Sequence, residues 1–360
     1  MLGSCASVLV EYVAGERWLR DGIEFADRVD LPNHRHYMAS HLAHVLWATG
    51  RLPEAEEVAS HALSDGRGGI TTRITALHVL GYVGLARGEL DAATGRLEEA
   101  LELGERMDEL QRISPALWGL AEVARLRHDP VAAAEWCRRG AAASEPVADA
   151  AYLYPFLVTG TRALLERGDI AAAEAWAGRV SSGVAARAIP GTLPAIDHAA
   201  GLVAMARGST GRARTSLEAA VAGWAARDRW WEGTWAALDL ATLHARANRP
   251  EAAARLAEQA RDAAATAGSV PLAVAAAAIL NRARARSRPD GPWAPLTARE
   301  AEVAALVARG MTNAAIAAEL ACAPKTVTSH VEHILAKLGA SRRTEIAAWA
   351  AARLGPRAAD

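Results

Sequence analysis

Lysine is almost missing from this chain. Of 360 residues only Lys325 and Lys337 are lysines, so no G-x-x-x-x-G-K-[ST] loop can exist and the nucleotide-phosphate chemistry built on that loop is excluded. Cysteine is nearly as scarce. Cys5, Cys137 and Cys322 stand alone, without a C-x-x-C pair or an even framework, which removes zinc fingers and disulfide scaffolds and fits a reducing cytoplasm. No apolar run reaches the ~18 residues of a membrane span without a charge or a glycine. The N-terminus also lacks the basic start and apolar core of a signal peptide. A cytoplasmic protein without membrane contact is expected. No grouping of serine, cysteine, histidine and acid at motif spacing and no paired-carboxylate signature is present, so neither an enzyme nor a bound cofactor is expected.

What the chain has instead is a repeat. The tracts GRLPEA from Gly50, GELDAA from Gly88, HDPVAA from His128, GDIAAA from Gly168, GSTGRA from Gly208 and NRPEAA from Asn248 begin 38, 40, 40, 40 and 40 residues apart, a solenoid period. Five residues after each start lies an alanine (Ala55, Ala93, Ala133, Ala173, Ala213, Ala253). Offsets 9 and 12 are also apolar or small in every copy: Ala59, Leu97, Cys137, Ala177, Leu217, Ala257, then Ala62, Ala100, Gly140, Val180, Ala220, Ala260. These offsets are i, i+4 and i+7, one face of a helix. Each start then reads as the turn of a helical hairpin. The array resembles tetratricopeptide repeats, although their usual period is shorter. Such hairpins bury their faces only by stacking, which yields a concave binding surface.

The last stretch reads differently. Leu296–Glu345 is LTAREAEVAALVARGMTNAAIAAELACAPKTVTSHVEHILAKLGASRRTE. Thr297 and Glu300 form a T-x-x-E capping box, Gly310 stops that helix, and Thr312 can cap a second carrying Ile316 and Leu320. Pro324 suits the first turn of a third. In that helix Val327, Val331, Ile334 and Leu338 make one buried stripe. Gly339 ends it, and Ser341 can cap a fourth helix through Ile346 and Trp349. The residues Leu296, Thr297, Arg299, Glu300, Glu302, Val303, then Gly310, Asn313, Ile316, Ala317, Leu320, then Thr326, Val327, His330, Ile334, Lys337 and Leu338 resemble the LuxR-type helix-turn-helix of bacterial transcriptional regulators.

The resemblance implies double-stranded DNA as partner, a third helix in the major groove, and a fourth helix that pairs two copies on a palindromic site. It implies base contacts from Thr328, Ser329 and Glu332, with Lys325, Thr326 and Lys337 beside phosphates; His333, Asn313, Arg342 and Arg343 complete the expected interface. RNA polymerase joins the expected partners. The alternative is that these polar groups simply solvate a surface helix. Thr328 and Glu332 stand where relatives often carry bases, and Ala323 replaces the usual serine cap, a loss of ~1 kcal/mol. From Asp290 to Asp360 there are 8 Lys or Arg against 7 Asp or Glu, a balance of +1. Modest phosphate affinity, rescued by dimerisation, is therefore expected.

The whole resembles the C-terminal part of the large ATP-binding LuxR-type activators without their ATPase domain, as a shortened or split member. The expected fold is all-α: a tetratricopeptide-like helical-hairpin solenoid over 1–286, a linker over 287–295 rich in proline, and a four-helix LuxR-type helix-turn-helix over 296–355. Arg282, Arg284, Arg286 and Arg288 before the linker suit either phosphates or, more simply, a solvated helix end. Trp224, Trp231 and Trp235, spaced i, i+7, i+11, are candidates to line a ligand site in the repeats, or else repeat core. His34, His36, His41 and His44 have the spacing of a loose metal cluster, but no acid or cysteine joins them, and surface or half-buried histidines are the simpler account. A transcriptional regulator whose repeats sense a ligand or protein is thus expected; the alternative is an interaction scaffold with a weak or vestigial DNA module.

Overall fold

The computed structural model describes residues 2–64, 68–147, 149–287 and 293–354. Among these no strand occurs, and the chain divides into two compact units, Met1–Leu280 and Asn281–Asp360. The first unit is a stack of six helical hairpins: α3 (Pro32–Ala48) with α4 (Leu52–Ser64), α5 (Gly69–Arg87) with α6 (Leu90–Met107), α7 (Leu110–Leu126) with α8 (Pro130–Ser144), α9 (Ala150–Glu166) with α10 (Ile170–Arg187), α11 (Pro194–Ala206) with α12 (Thr210–Ala225), and α13 (Trp230–Arg246) with α14 (Pro250–Ala267). Helices α1 (Leu2–Val8) and α2 (Tyr12–Arg28) precede the stack, and α15 (Val270–Ser287) follows it.

The six repeat starts are the hairpin turns. Gly50, Gly88, His128, Gly168, Gly208 and Asn248 all have positive φ, between 56° and 83°. In every copy the next residue's N–H bonds back to the carbonyl five residues earlier, as from Arg51 to Leu46 (2.8 Å) and from Arg249 to His244 (2.9 Å). This is the left-handed cap that closes a helix with its last carbonyls satisfied. Glycine takes that conformation without a Cβ penalty, and asparagine tolerates it. The offset-5 alanines are fully buried in all six copies, and the residues at offsets 9 and 12 are buried too. At Gly140 the reason for a missing side chain is explicit: a Cβ there would lie 2.0 Å from the Phe156 ring of the next helix.

A second series of left-handed turns lies between hairpins at Gly69, Asp108, Ala188 and Asp228 and at the two ends of the stack at Asp30 and Gly268. Aspartate and alanine hide this series from a reading based on glycine. The Asp228 turn also separates Trp224 on α12 from Trp231 and Trp235 on α13, so their i, i+7, i+11 spacing does not describe one helix face. The last hairpins return to the first: Arg227 bonds Glu11 at 2.7 Å, Arg229 bonds the Tyr12 hydroxyl at 2.8 Å, and a Cβ on Gly50 would meet Trp230 at 2.9 Å.

The second unit holds α16 (Ala298–Ala308), α17 (Asn313–Glu319), α18 (Pro324–Leu338) and α19 (Arg343–Leu354) around a core that includes Leu296, Val303, Ile316, Val327, Ile334 and Ile346. Of the segment 287–295, residues 288–292, Arg288 among them, lie outside the described residues, as do the side chains of Arg284 and Arg286. Trp293 packs within the second unit, its ring 5.9 Å from that of Trp349.

Candidate nucleic-acid interface

Helix α18 owes its exposed face to what surrounds its buried one. Val327 and Ile334 are fully buried, one two-turn step apart, and Val331 and Leu338 pack at the edge of the same core. Lys325, Thr328, Ser329 and Glu332 consequently share the opposite, exposed face, with Thr326, His333 and Lys337 along its flank. The capping box expected at Thr297 is complete: Thr297 N–H donates to Glu300 at 2.8 Å and Glu300 N–H to the Thr297 hydroxyl at 3.3 Å. Thr312 caps α17 at 3.2 Å, while Ala323 gives α18 no side-chain cap. At α19 the start differs from expectation. Glu345 accepts the Ser341 and Arg342 N–H groups at 2.6 and 3.0 Å, so a carboxylate from within the first turn satisfies donors just ahead of the helix, a different set from those a Ser341 hydroxyl would cap.

Several residues expected at DNA are tied to one another. Arg343 donates to Asn313 at 2.8 Å and to the Met311 carbonyl at 2.5 Å, and Asn313 donates to the Thr328 hydroxyl at 3.2 Å. This chain fixes α17 and α19 against the start of α18. Lys337 donates to Glu300 at 2.7 Å. Burial pushes the Glu300 carboxyl up, but Lys337 and the hydrogen bonds from Thr297 hold it below the ordinary range. Lys337 thus locks the third helix to the first. Lys325, Ser329 and Glu332 stand open on the face, His333 is exposed on its flank, and Arg342 is exposed just ahead of α19.

Residues 294–350 match the family described as bacterial regulatory proteins, luxR family. The C-terminal unit carries a LuxR-type helix-turn-helix. Over 71 residues it is 41% identical to a provisionally named HTH-type transcriptional regulator of Mycobacterium tuberculosis, a match covering 20% of this chain and 8% of that protein. Over 76 residues it is 40% identical to the DNA-binding transcriptional activator DevR/DosR of Mycobacterium tuberculosis, covering 21% of this chain and 35% of the relative. The chain therefore spans a small part of these relatives, and the likeness belongs to the LuxR segment. The helical repeats find their counterpart in fold. A Rap protein complexed with Competence and Sporulation Factor superposes with a TM-score of 0.58 at 11% identity, covering 98% of this chain and 94% of that one. This likeness shows a tetratricopeptide-like architecture and no more.

In the repeat unit Trp224 and Trp231 are fully buried and Trp235 is half-buried. Trp231 donates to Glu122 at 3.0 Å. Glu122 also binds Arg125 through both oxygens (3.0 and 2.7 Å) and accepts from Thr159 at 2.8 Å. Burial alone would raise the Glu122 carboxyl, but Arg125 and these donors hold it low. Nearby, Arg162 forks onto Asp239 at 2.9 and 2.6 Å, and His198 meets the same carboxylate at 2.8 Å. The space among the tryptophans is about 20 Å³, roomy enough for about one water. A neighbouring cavity is far larger, about 350 Å³, and its wall includes His41, His44, His78, Tyr82, Arg112 and Trp118. The four-histidine cluster in the sequence therefore divides: His41 and His44 face this cavity, and among the described residues no set of three metal-ligating side chains assembles. Sequence reasoning missed Arg112, His78 and Tyr82. An available signal was the aromatic series Trp47, Tyr82, Trp118 and Tyr154, one on the first helix of each of four hairpins, 35 or 36 residues apart.

Proposed function

We propose that this protein regulates transcription by binding a two-half-site operator as a homodimer, with α18 of each copy in the major groove and the copies paired through α19. The working division is a sensor through residue 286, a linker over 287–295 and a DNA module over 296–355. One observation carries the reading: α18 presents Lys325, Thr328, Ser329 and Glu332 on one exposed face while the opposite stripe is buried in a capped, cross-braced LuxR-type core. A helix so held can enter a groove without rearrangement. Ser329 and Thr328 hydroxyls can serve either kind of base edge, and Glu332 can accept from a cytosine amino group. Lys325, Thr326, Arg342 and the flank of His333 lie where phosphates would pass.

In this reading the repeat unit senses a small ligand or a protein, and occupancy shifts the balance between DNA-competent and incompetent states. RNA polymerase is a further partner under the same reading. The test is selection of genomic fragments by the purified full-length chain at moderate salt, followed by sequencing. A shared palindrome among the retained fragments supports the regulator. The charge balance of +1 favours a second reading, an interaction scaffold with a vestigial DNA module, and it would gain if no sequence were enriched.

A further inference from the structure

The 350 Å³ cavity is bounded by α1 and by the first helices of four consecutive hairpins, α3, α5, α7 and α9. Two arginines reach it and they differ in how their charge is met. Arg229 is gripped by both oxygens of Glu232, at 2.7 and 2.9 Å, and by the Tyr12 hydroxyl. Arg112 is not. Its side chain is 8% exposed, one nitrogen donates to the neutral Thr75 hydroxyl at 3.0 Å, and its carboxylate contact among the described residues is a single 3.4 Å approach from Nε to the half-exposed Glu109. A buried guanidinium has five donors and is costly to leave without a close counter-charge.

The groups around Arg112 do not supply that charge. Burial, with Arg112 alongside, drives His41 and His78 down to about 3, so both rings are neutral. Asp149, a carboxylate on the wall, is turned to the start of its own helix, accepting the Ala151 N–H at 3.0 Å. The hydrogen bonds also fix what His41 offers. Ser7 gives its proton to the Ser4 carbonyl at 2.7 Å, so at its 3.1 Å contact with His41 Nδ1 the imidazole must donate. Nε2 is then a bare acceptor, buried and without a partner among the described residues. Tyr82, Trp118 and Tyr154 supply flat apolar walls, with Tyr82 and Trp118 edge-to-face at 5.1 Å.

We propose that this cavity binds a small aromatic carboxylic acid that also carries a hydrogen-bond donor: carboxylate on Arg112, donor on His41 Nε2, ring against Tyr82, Trp118 and Tyr154. Its size is at the lower end of small-molecule sites and suits one or two fused rings. The inference rests on the reading of the repeats as a sensor and names what they sense.

The test uses the full-length chain and two probes, 4-hydroxybenzoate and indole-3-carboxylate, each beside its neutral carboxamide, in thermal-shift and calorimetric titrations. One acid or both should bind at 1:1, and the carboxamides and the Arg112→Gln variant should lose affinity at least about tenfold, the scale of one charge-assisted hydrogen bond. Because Arg112 is buried, a second variant guards against a folding defect: Cys5 is exposed on the cavity wall, and Cys5→Trp should obstruct entry without removing a hydrogen bond. Bound acid should also protect Cys5 from maleimide. Binding by neither acid, equal binding of the carboxamides, affinity unchanged in Cys5→Trp, or occupation by a short peptide in place of the acids overturns the proposal. Operator binding measured without any acid separates the two readings. An acid that binds without altering operator affinity leaves the site standing and removes the sensor role; operator binding with no acid bound does the reverse.

Discussion

The two units use polar side chains in opposite directions. In the repeat unit exposed ion pairs such as Arg106 with Glu102 are joined by pairs that point inward: Glu122 with Arg125 and Arg229 with Glu232 are buried, and Arg162 with Asp239 is nearly so, all set among tryptophans and tyrosines. In the C-terminal unit the buried core is aliphatic, its one buried charged side chain among the described residues is Glu300, and the other polar groups stand at or near the surface, those of α18 among them. An alanine-rich stack of hairpins leaves room between its first helices, and that room is filled with large aromatic and ionised groups that demand partners. A small helix-turn-helix has no such room. Polarity inside marks where the repeats can take a ligand, and polarity outside marks where α18 can meet a larger partner.

The contrast can be broken most severely at Glu122. Replacing it with alanine strands the buried Arg125 charge and removes the acceptor for Thr159 and Trp231, and breaking such a pair costs about 3–5 kcal/mol. Urea unfolding should show that loss in the repeat unit, while Glu122→Gln, which keeps an acceptor, should lose less. Nothing comparable should follow from any single exposed residue of α18.

Acid should separate the units next. His41 and His78 sit near 3 when folded against about 6.5 unfolded. Between those values the unfolded chain binds protons that the folded rings refuse, so repeat-unit stability falls as pH drops below about 6.5. In the C-terminal unit Glu300 is held below its ordinary value, and its contribution is lost only as pH falls through that lowered value; His330 is pushed down too, but it is half-buried. Calorimetry from pH 7.5 to 5 should show the repeat transition moving down more steeply than the C-terminal one. Equal movement would contradict the assignment of neutral, buried imidazoles.

Smaller effects sharpen the outward half of the comparison. Replacing Thr328 and Ser329 together by alanine should cost about 1–3 kcal/mol of discrimination between cognate and altered operators, with only a small drop in melting temperature from the lost Asn313–Thr328 bond. Ala323→Ser, supplying the missing cap of α18, should raise the stability of the C-terminal unit by about 1 kcal/mol in chemical denaturation. If the serine variant were no more stable, the start of α18 would not be limited by its cap.

Much of this was legible in the sequence because it was written in periodic or local signals. The six turn residues and the apolar offsets are periodic, and every one of those starts is a left-handed turn. Thr297 with Glu300, Thr312 and Gly339 are local capping signals and were readable one turn at a time. The Glu345 contact at α19 was not legible: its carboxylate accepts the Ser341 and Arg342 N–H groups, whereas a capping Ser341 hydroxyl would accept from N–H groups two or three residues on. The cavity was illegible for a different reason. Ser7, His41, His78 and Arg112 meet across separations of 34 to 37 residues, set by how the hairpins stack, and no local pattern encodes that. The bond from Lys337, expected beside a phosphate, to Glu300 likewise spans 37 residues and is set only by the fold.

The central claim is that the exposed face of α18 reads DNA sequence, and binding of the full-length protein and its Thr328→Ala, Ser329→Ala double variant to the fragment it selects, against a scrambled fragment, over a range of salt, tests it most directly. The account expects the native chain to prefer the selected fragment and to weaken as salt rises, with the variant losing the preference while keeping the salt slope. Native and variant chains that bind both fragments alike, or neither, would contradict it.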